Sequence, residues 1–421
     1  MNAPGVVIVG SSVAGSKTAE ALRSHGYRGP ITLIGAEDEL PYNKPPLSKQ
    51  VLVGSMAEAE NLLLTHEAAH RAEITLKLGS PAIALDTDAH FVTLAGGEQI
   101  AYDTLVIATG VRARPSPWGQ PTGVHVLRTI DDVRALRKEM LSGGHLVVIG
   151  GGFIGAEAAA AACKLGMTVQ IVDPVPIPMA RVLGDEIGEI LSGLHARHGV
   201  ETLFGIGVSG VTTDPSVTAV AGHPALKVHL DNGSTLNADA VLVGIGTVTN
   251  HEWLEGAGLR LENGVVCDQF SRAEGVADVY VAGDLARWFH PRHEELVRVE
   301  HWTNAVEHAQ SVAYNITHPD EPRPYSPVEY IWSDQYDWKI QITGRTGAET
   351  HLTLKDKVSA DRFAVLYADD GLNYSGAMTA NWPKALIACR RAVGTAVTID
   401  EMLASLETFL LPKNPVAIAD T

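Results

Sequence analysis

Residues 145–173 read HLVVIGGGFIGAEAAAAACKLGMTVQIVD. The apolar run Leu146–Ile149 stops at Gly150, and Gly152 and Gly155 follow at the spacing a strand needs to turn tightly into a helix. The first glycine permits the turn, the second lets backbone amides approach a pyrophosphate, and the third lets the helix pack on its strand. Unpaired amides and the helix dipole then favour an anion at the helix N-terminus. The alanine-rich stretch from Ala156 to Leu165 predicts that helix, Gly166 ends it, and Val169–Val172 predicts a second strand closed by Asp173. That carboxylate lies about 18 residues past the third glycine, where it can accept hydrogen bonds from an adenosine ribose. A 2′-phosphate would be repelled there, so the stretch reads as a site for NADH rather than NADPH.

The same pattern occurs once earlier. Val6–Val9 is followed by Gly10, Ser12 and Gly15, a helix to about Ser24, a strand Ile31–Ile34, and Glu37. Ser12 stands where the second glycine belongs, and its Cβ limits how closely a pyrophosphate approaches. Two copies of strand, turn, helix, strand and acid imply two adenine dinucleotides in one chain. For an oxidoreductase these are a tightly held FAD and a diffusing NADH.

Bulk properties narrow the partners. The chain has 421 residues, room for two or three domains, with 32 Lys plus Arg against 49 Asp plus Glu, a formal charge of −17. Nucleic acid and anionic membranes are therefore excluded as expected partners. No basic and apolar leader pattern and no bilayer-length apolar run appears, so a cytoplasmic protein is expected. Cys163, Cys267 and Cys389 are far apart, form no CxxC pair and read as buried small apolar residues. No metal site is expected.

Along the chain, LPYNKPPLSK at 40–49 is too rich in proline for an ordinary helix and holds Lys44 and Lys49, either near a cofactor or as solvated surface lysines. Short strands are expected over 74–107, including Phe91–Leu94, and a Pro- and Arg-rich crossing follows at 111–123. A helix is predicted from Asp131 to Leu141, and further strands from 199 to 245. Val279–Asp284 is a buried strand delivering a carboxylate at the edge where ligands lie in open α/β sheets, unless Asp284 merely caps a helix. Glu300-His301-Trp302 leads into a helix expected from Thr303 to Asn315, and a proline-rich linker spans 319–327. Beyond it, strands at Lys339–Thr343 and Arg362–Tyr367 and helices at Pro383–Arg391 and Ile399–Leu410 suggest a small α+β domain. The fold class is thus α/β, with two Rossmann-like dinucleotide-binding domains and a small C-terminal α+β domain. Expected boundaries are 1–112 and 246–320 for the FAD-binding domain, 113–245 for the NAD-binding domain, and 321–421 for the last.

The segments PYNKPPLSK (41–49), ATG (108–110), LRT (127–129), IGGGFIGAE (149–157), AGD (282–284), EHWTNA (300–305) and YIWSDQY (330–336) occur in an order that resembles the FAD-dependent NADH:ferredoxin reductases of bacterial oxygenase systems. The resemblance runs over essentially the whole chain, and the last segment sets this group apart from other two-dinucleotide flavoproteins. It implies FAD contacts from Gly10, Ser12, Ala14, Gly15, Glu37, Lys44, Lys49, Ala82, Arg128, Asp284 and Trp302. For NAD it implies Gly150, Gly152, Ile154, Gly155, Glu157, Asp173 and Gly246. Lys49 and Glu157 would lie nearest flavin N5 and are the implied catalytic residues. Lys44 stands where the family usually has arginine, which puts any bidentate contact there in doubt.

The implied reaction is hydride transfer from NADH to FAD, governed by orientation and electrostatics, then single-electron delivery to a 2Fe–2S ferredoxin that supplies a monooxygenase or dioxygenase. No cysteine lies near 40–50, where the disulfide reductases of similar architecture keep theirs, so electrons must leave to an external acceptor. Lys339, Lys384, Arg390 and Arg391 are candidate docking cations or an ordinary solvated face. A reductase of a small acceptor (quinone, dye or dioxygen) and an NADH-sensing flavoprotein remain as alternatives, and the protein is expected to be a monomer or homodimer.

Overall fold

The computed structural model describes residues 4–357 and 359–410. Both termini of the expected domain scheme, and the position between Lys357 and Ser359, lie outside them. The chain divides into two compact units, one comprising the chain through Pro178 with Gly193–Pro327, the other Met179–Ser192 with the chain from Val328.

In the first unit the two predicted repeats each build a five-stranded sheet. The strand Val6–Val9 lies between Ile31–Ile34 and Thr104–Ile107, all parallel, with Ile74–Lys77 and Val279–Val281 at the edges. The strand His145–Ile149 likewise lies between Thr168–Asp173 and Ala240–Val243, with Glu201–Phe204 and Val124–His125 outside. Continuous apolar sequence is what such strands need, because both faces are covered. Val6 and Ile8 enter one core, with Leu22, Leu33 and Val312, while Val7 and Val9 enter another, around Trp288, Leu105 and Ile107. Each such fully buried aliphatic side chain contributes roughly 1.5–3 kcal/mol.

The helices Val13–Ser24 and Phe153–Lys164 begin at the glycine turns. The second starts three residues before the alanine-rich run, because the turn itself ends at Gly152. The crossings between the two sheets form a two-stranded antiparallel ribbon, Val111–Ala113 with Thr247–Thr249. Small antiparallel sheets complete the unit, among them Ala82–Asp86, Phe91–Leu94 and Gln99–Ala101.

The second unit is an antiparallel sheet in the order Tyr330–Gln335, Trp338–Gly344, Tyr374–Ala380, Phe363–Ala368, Thr350–Lys355. The helices Pro383–Ala392 and Ile399–Glu407 pack their buried residues with one face of it. Met179–Ser192 joins this unit, where Tyr367 OH donates to Leu183 O (2.7 Å) and Thr346 Oγ1 to Val182 O (2.7 Å). Among the described residues no helix is long and apolar enough to cross a membrane.

Candidate functional site

The two glycine turns repeat each other almost atom for atom. Gly10 and Gly150 have φ of +113° and +112°, and a Cβ on them would lie 2.1 Å from Ala108 O and 2.3 Å from Gly244 O. A Cβ on Gly15 would meet Gly10 O at 1.8 Å, and one on Gly155 would meet Gly150 O at 2.0 Å. These four positions are filled by backbone and admit no side chain. Gly152 differs: nothing lies within 4 Å of a Cβ placed there. That open space faces the first turn of a helix whose N-cap has no side chain to satisfy its amides. Ser12 has an ordinary φ of −77° and makes no capping hydrogen bond either, so the amides of its helix are equally available. The residues at both turns fit a dinucleotide pyrophosphate.

The two acids are held differently. Asp173 ends its strand and accepts Gly151 N–H (2.7 Å) and Val175 N–H (2.8 Å), so backbone alone fixes it beside the glycine turn. Glu37 is gripped by side chains. Lys44 Nζ donates to its Oε1 at 3.0 Å and Tyr42 OH donates to its Oε2. Lys44 also lies over the Tyr42 ring, 4.2 Å from its centroid, and burial lowers its pKa below the usual lysine value against the opposing pull of Glu37. Lys44 thus meets Glu37, an arrangement a single ammonium serves without arginine's fork.

Lys49 and Glu157, both implied as flavin neighbours, come together. Lys49 Nζ lies 2.7 Å from Glu157 Oε2, with the two side chains 11 % and 3 % exposed. Ser48 Oγ donates to the same oxygen at 2.5 Å. The proline-rich stretch makes this contact because Pro45–Ser48 forms a single 3-10 turn that presents Ser48 and Lys49 in succession. Arg128 and Asp284, read separately as cofactor contacts, also pair with each other, Nη2 to Oδ2 at 3.0 Å. Burial raises the Asp284 pKa, opposed by Arg128. Trp302 opens the helix Trp302–Thr317 and donates from Nε1 to Asn43 Oδ1 at 3.1 Å. Ile154 is an exposed apolar side chain on the first turn after Gly152. Gly246 O accepts Arg114 N–H at 2.9 Å. Ala82 lies in the small antiparallel sheet, reached from the Glu37 backbone through Gly79 N–H to Glu37 O at 2.9 Å.

Sequence reasoning missed Ser48, Tyr42, Asn43 and Arg298, the last donating from Nη1 to Asp284 O at 3.2 Å. Tyr42, Asn43 and Ser48 had a signal only as members of the quoted PYNKPPLSK segment, and Arg298 had none. The three cysteines are unpaired; Cys267 and Cys389 are buried and Cys163 half-buried, and burial raises each thiol pKa, Cys389 to about 12. Of the candidate docking cations, Lys384 lies over Phe409 and Arg390 over Tyr330.

Residues 4–309 match the family model described as pyridine nucleotide-disulphide oxidoreductase, and 330–410 match the one described as reductase C-terminal. Rhodocoxin reductase of Rhodococcus erythropolis is 38% identical over 400 residues, covering 94% of this chain and 90% of that protein. The ferredoxin–NAD(+) reductase component of the p-cumate 2,3-dioxygenase system of Pseudomonas putida is 33% identical, covering 94% of each chain. Among solved structures, the covalent putidaredoxin reductase–putidaredoxin complex superposes with a TM-score of 0.87 at 28% identity, covering 97% of this chain and 100% of that one.

Proposed function

Because the chain belongs to the pyridine nucleotide-disulphide oxidoreductase family, we propose that it is an FAD-dependent NADH:ferredoxin oxidoreductase, delivering electrons to a 2Fe–2S ferredoxin of an oxygenase system. The observation that carries this reading is the buried Ser48–Lys49–Glu157 contact, which joins the proline-rich segment of the first half-site to the dinucleotide helix of the second. Glu157 lies two residues beyond Gly155, so a nicotinamide bound through that turn meets residues fixed to the other half.

FAD, when bound, supplies an acceptor that takes two electrons as hydride and releases them singly. Gly10 to Gly15, Glu37 and Asp284 would hold it; Gly150 to Gly155 and Asp173 would hold NADH. Lys49 provides a fixed positive charge at the shared face, kept in place by Glu157 and Ser48, and the low local dielectric makes that charge count for more than it would in water. No side chain is required as acid or base, since Lys49 and Glu157 orient and polarise. Burial raises each thiol pKa and holds it protonated, and none lies in the proline-rich segment 40–49, which supports an external rather than an internal acceptor. The relatives' names support a ferredoxin as that acceptor and an oxygenase as its client. The relatives named as reductase components of oxygenase systems support a cytoplasmic protein.

Anaerobic stopped-flow tests the reading. Bleaching of the flavin by NADH and much more slowly by NADPH, followed by reoxidation on mixing with a 2Fe–2S ferredoxin, is the expected result. Bleaching with no reoxidation by any ferredoxin would replace it with a small-acceptor reductase, and a protein that binds no flavin would overturn it.

A further inference from the structure

Behind the strand that delivers Asp284 runs a closed ring of buried hydrogen bonds. Val281 N–H donates to Ser271 O at 3.0 Å, Ser271 Oγ meets His308 Nε2 at 2.7 Å, and Gly283 N–H donates to His308 Nδ1 at 3.3 Å. Ser271 and His308 are both fully buried. A neutral imidazole has one donor and one acceptor nitrogen. Since Nδ1 accepts from an amide, Nε2 carries the hydrogen and donates to Ser271. Burial lowers the His308 pKa to about 3, so the ring keeps one tautomer at working pH. Its face is stacked on Tyr325, with centroids 4.3 Å apart and planes 10° from parallel, and Tyr325 OH donates to Asn304 Oδ1 at 2.9 Å. Rotation of the imidazole is thereby blocked.

The backbone at both ends of this ring is unusual. Ser271 holds φ +67°, a region non-glycine residues seldom occupy, in a fully buried position. Gly283 holds φ +75°, and a Cβ on it would lie 2.8 Å from Ala14 Cβ in the first glycine turn. The next residue is Asp284, whose carboxylate meets Arg128 and whose carbonyl meets Arg298. A two-residue turn therefore separates the neutral imidazole from the carboxylate.

We propose that His308, oriented by Ser271, is a positioning residue for the flavin site: it fixes the Gly283 peptide, and through it the placement of Asp284 against Arg128 and the first glycine turn. The inference rests on the reading of Asp284 as a flavin contact. Without an acceptor at Nδ1 the buried Gly283 amide loses its partner, and the turn shifts to find one. Glutamine carries both an acceptor and a donor and can replace both contacts; leucine fills volume but offers neither.

The test compares FAD dissociation constants of the reconstituted full-length protein, wild type against His308→Leu, His308→Gln, Ser271→Ala and Asp284→Asn, with thermal unfolding of each apoprotein and the NADH KM at saturating FAD. His308→Leu is expected to weaken FAD binding by about tenfold to a hundredfold. His308→Gln is expected to restore it to within about threefold, and neither to change the NADH KM. Wild-type FAD affinity in His308→Leu overturns the proposal, and so does equal loss of FAD affinity and apoprotein stability in the leucine and glutamine variants, which marks a merely structural role. If His308→Leu fails to fold, Ser271→Ala decides: several-fold weaker FAD binding supports the brace and unchanged binding overturns it. Asp284→Asn reports separately on the site, since wild-type affinity in that variant removes Asp284 from the flavin contacts whatever His308 does.

Discussion

The two half-sites share a backbone and differ in what ties down the acid. At the second turn, Asp173 is held by two peptide N–H groups, Gly152 leaves open space, and Ile154 is exposed. At the first, Glu37 is clasped by Lys44 and Tyr42, and Asp284 is buried beside Arg128 and backed by His308. Under the proposed function the same turn serves two residence times. A site built from backbone and open surface suits a dinucleotide that exchanges each turnover, and one walled by interlocked side chains suits a cofactor that stays. The two meet where Lys49 and Ser48 reach Glu157 and where Arg128 reaches Asp284.

Cutting the junction at Lys49 and Glu157 should have the largest effect. Lys49→Met leaves the Glu157 carboxylate buried without its cation, and urea unfolding is expected to show a loss of about 3–5 kcal/mol. Adding Glu157→Gln in the same chain should recover part of that loss; full additivity of the two changes would show that the halves are not coupled there. Next come the turns themselves. Gly155→Ala places a methyl 2.0 Å from Gly150 O and is expected to slow flavin reduction by NADH about a hundredfold with FAD content unchanged. Gly15→Ala should instead deplete FAD, read as flavin absorbance per protein. A loss of FAD in both would erase the distinction between resident and exchanging sites.

Acid sharpens the comparison further, because each half buries a histidine held well below its ordinary pKa. His308 and His195 are held down to about 3 and about 4 by desolvation. Unfolded, each takes a proton near the ordinary histidine value of about 6.5. Below that value the unfolded chain holds more protons than the folded one, so stability falls with pH until the folded values are reached. Each group contributes about 1.4 kcal/mol per pH unit inside its window. Urea midpoints between pH 6.5 and 4 for His308→Gln and His195→Gln are expected each to show a shallower slope than wild type, and an unchanged slope in either variant would remove that histidine from the account. Smallest is donor choice. Asp173→Ala should narrow the preference for NADH over NADPH by about fivefold in KM ratio, since backbone groups remain to hold the ribose.

Local patterns carried the two turns, because glycine spacing, apolar runs and a terminal acid lie within thirty or so consecutive residues and each has a backbone cause. Resemblance put Lys49 and Glu157 near one flavin atom, and nothing marked Ser48 within the quoted PYNKPPLSK segment, since its partner is 109 positions away and serine is common. The His308–Ser271 ring is invisible for the same reason. Arg128 and Asp284 were each legible as cofactor contacts, but nothing in either segment announced that they meet. In the second unit, Tyr374–Ala380 escaped notice because YSGAMTA lacks bulky alternation, as befits a strand buried on nearly all of its length.

The ribbon of Val111–Ala113 and Thr247–Thr249 has a consequence for how such a chain is assembled. Outgoing and returning strands lie side by side, Val248 opposite Arg112, so the whole nicotinamide half enters and leaves through one doorway. The insert is not self-contained, however, since Met179–Ser192 within it belongs to the second unit and Arg128 within it pairs with Asp284 outside it. A graft joined within those six residues must therefore carry matching partners for Arg128 and for Met179–Ser192 as well as the second glycine turn.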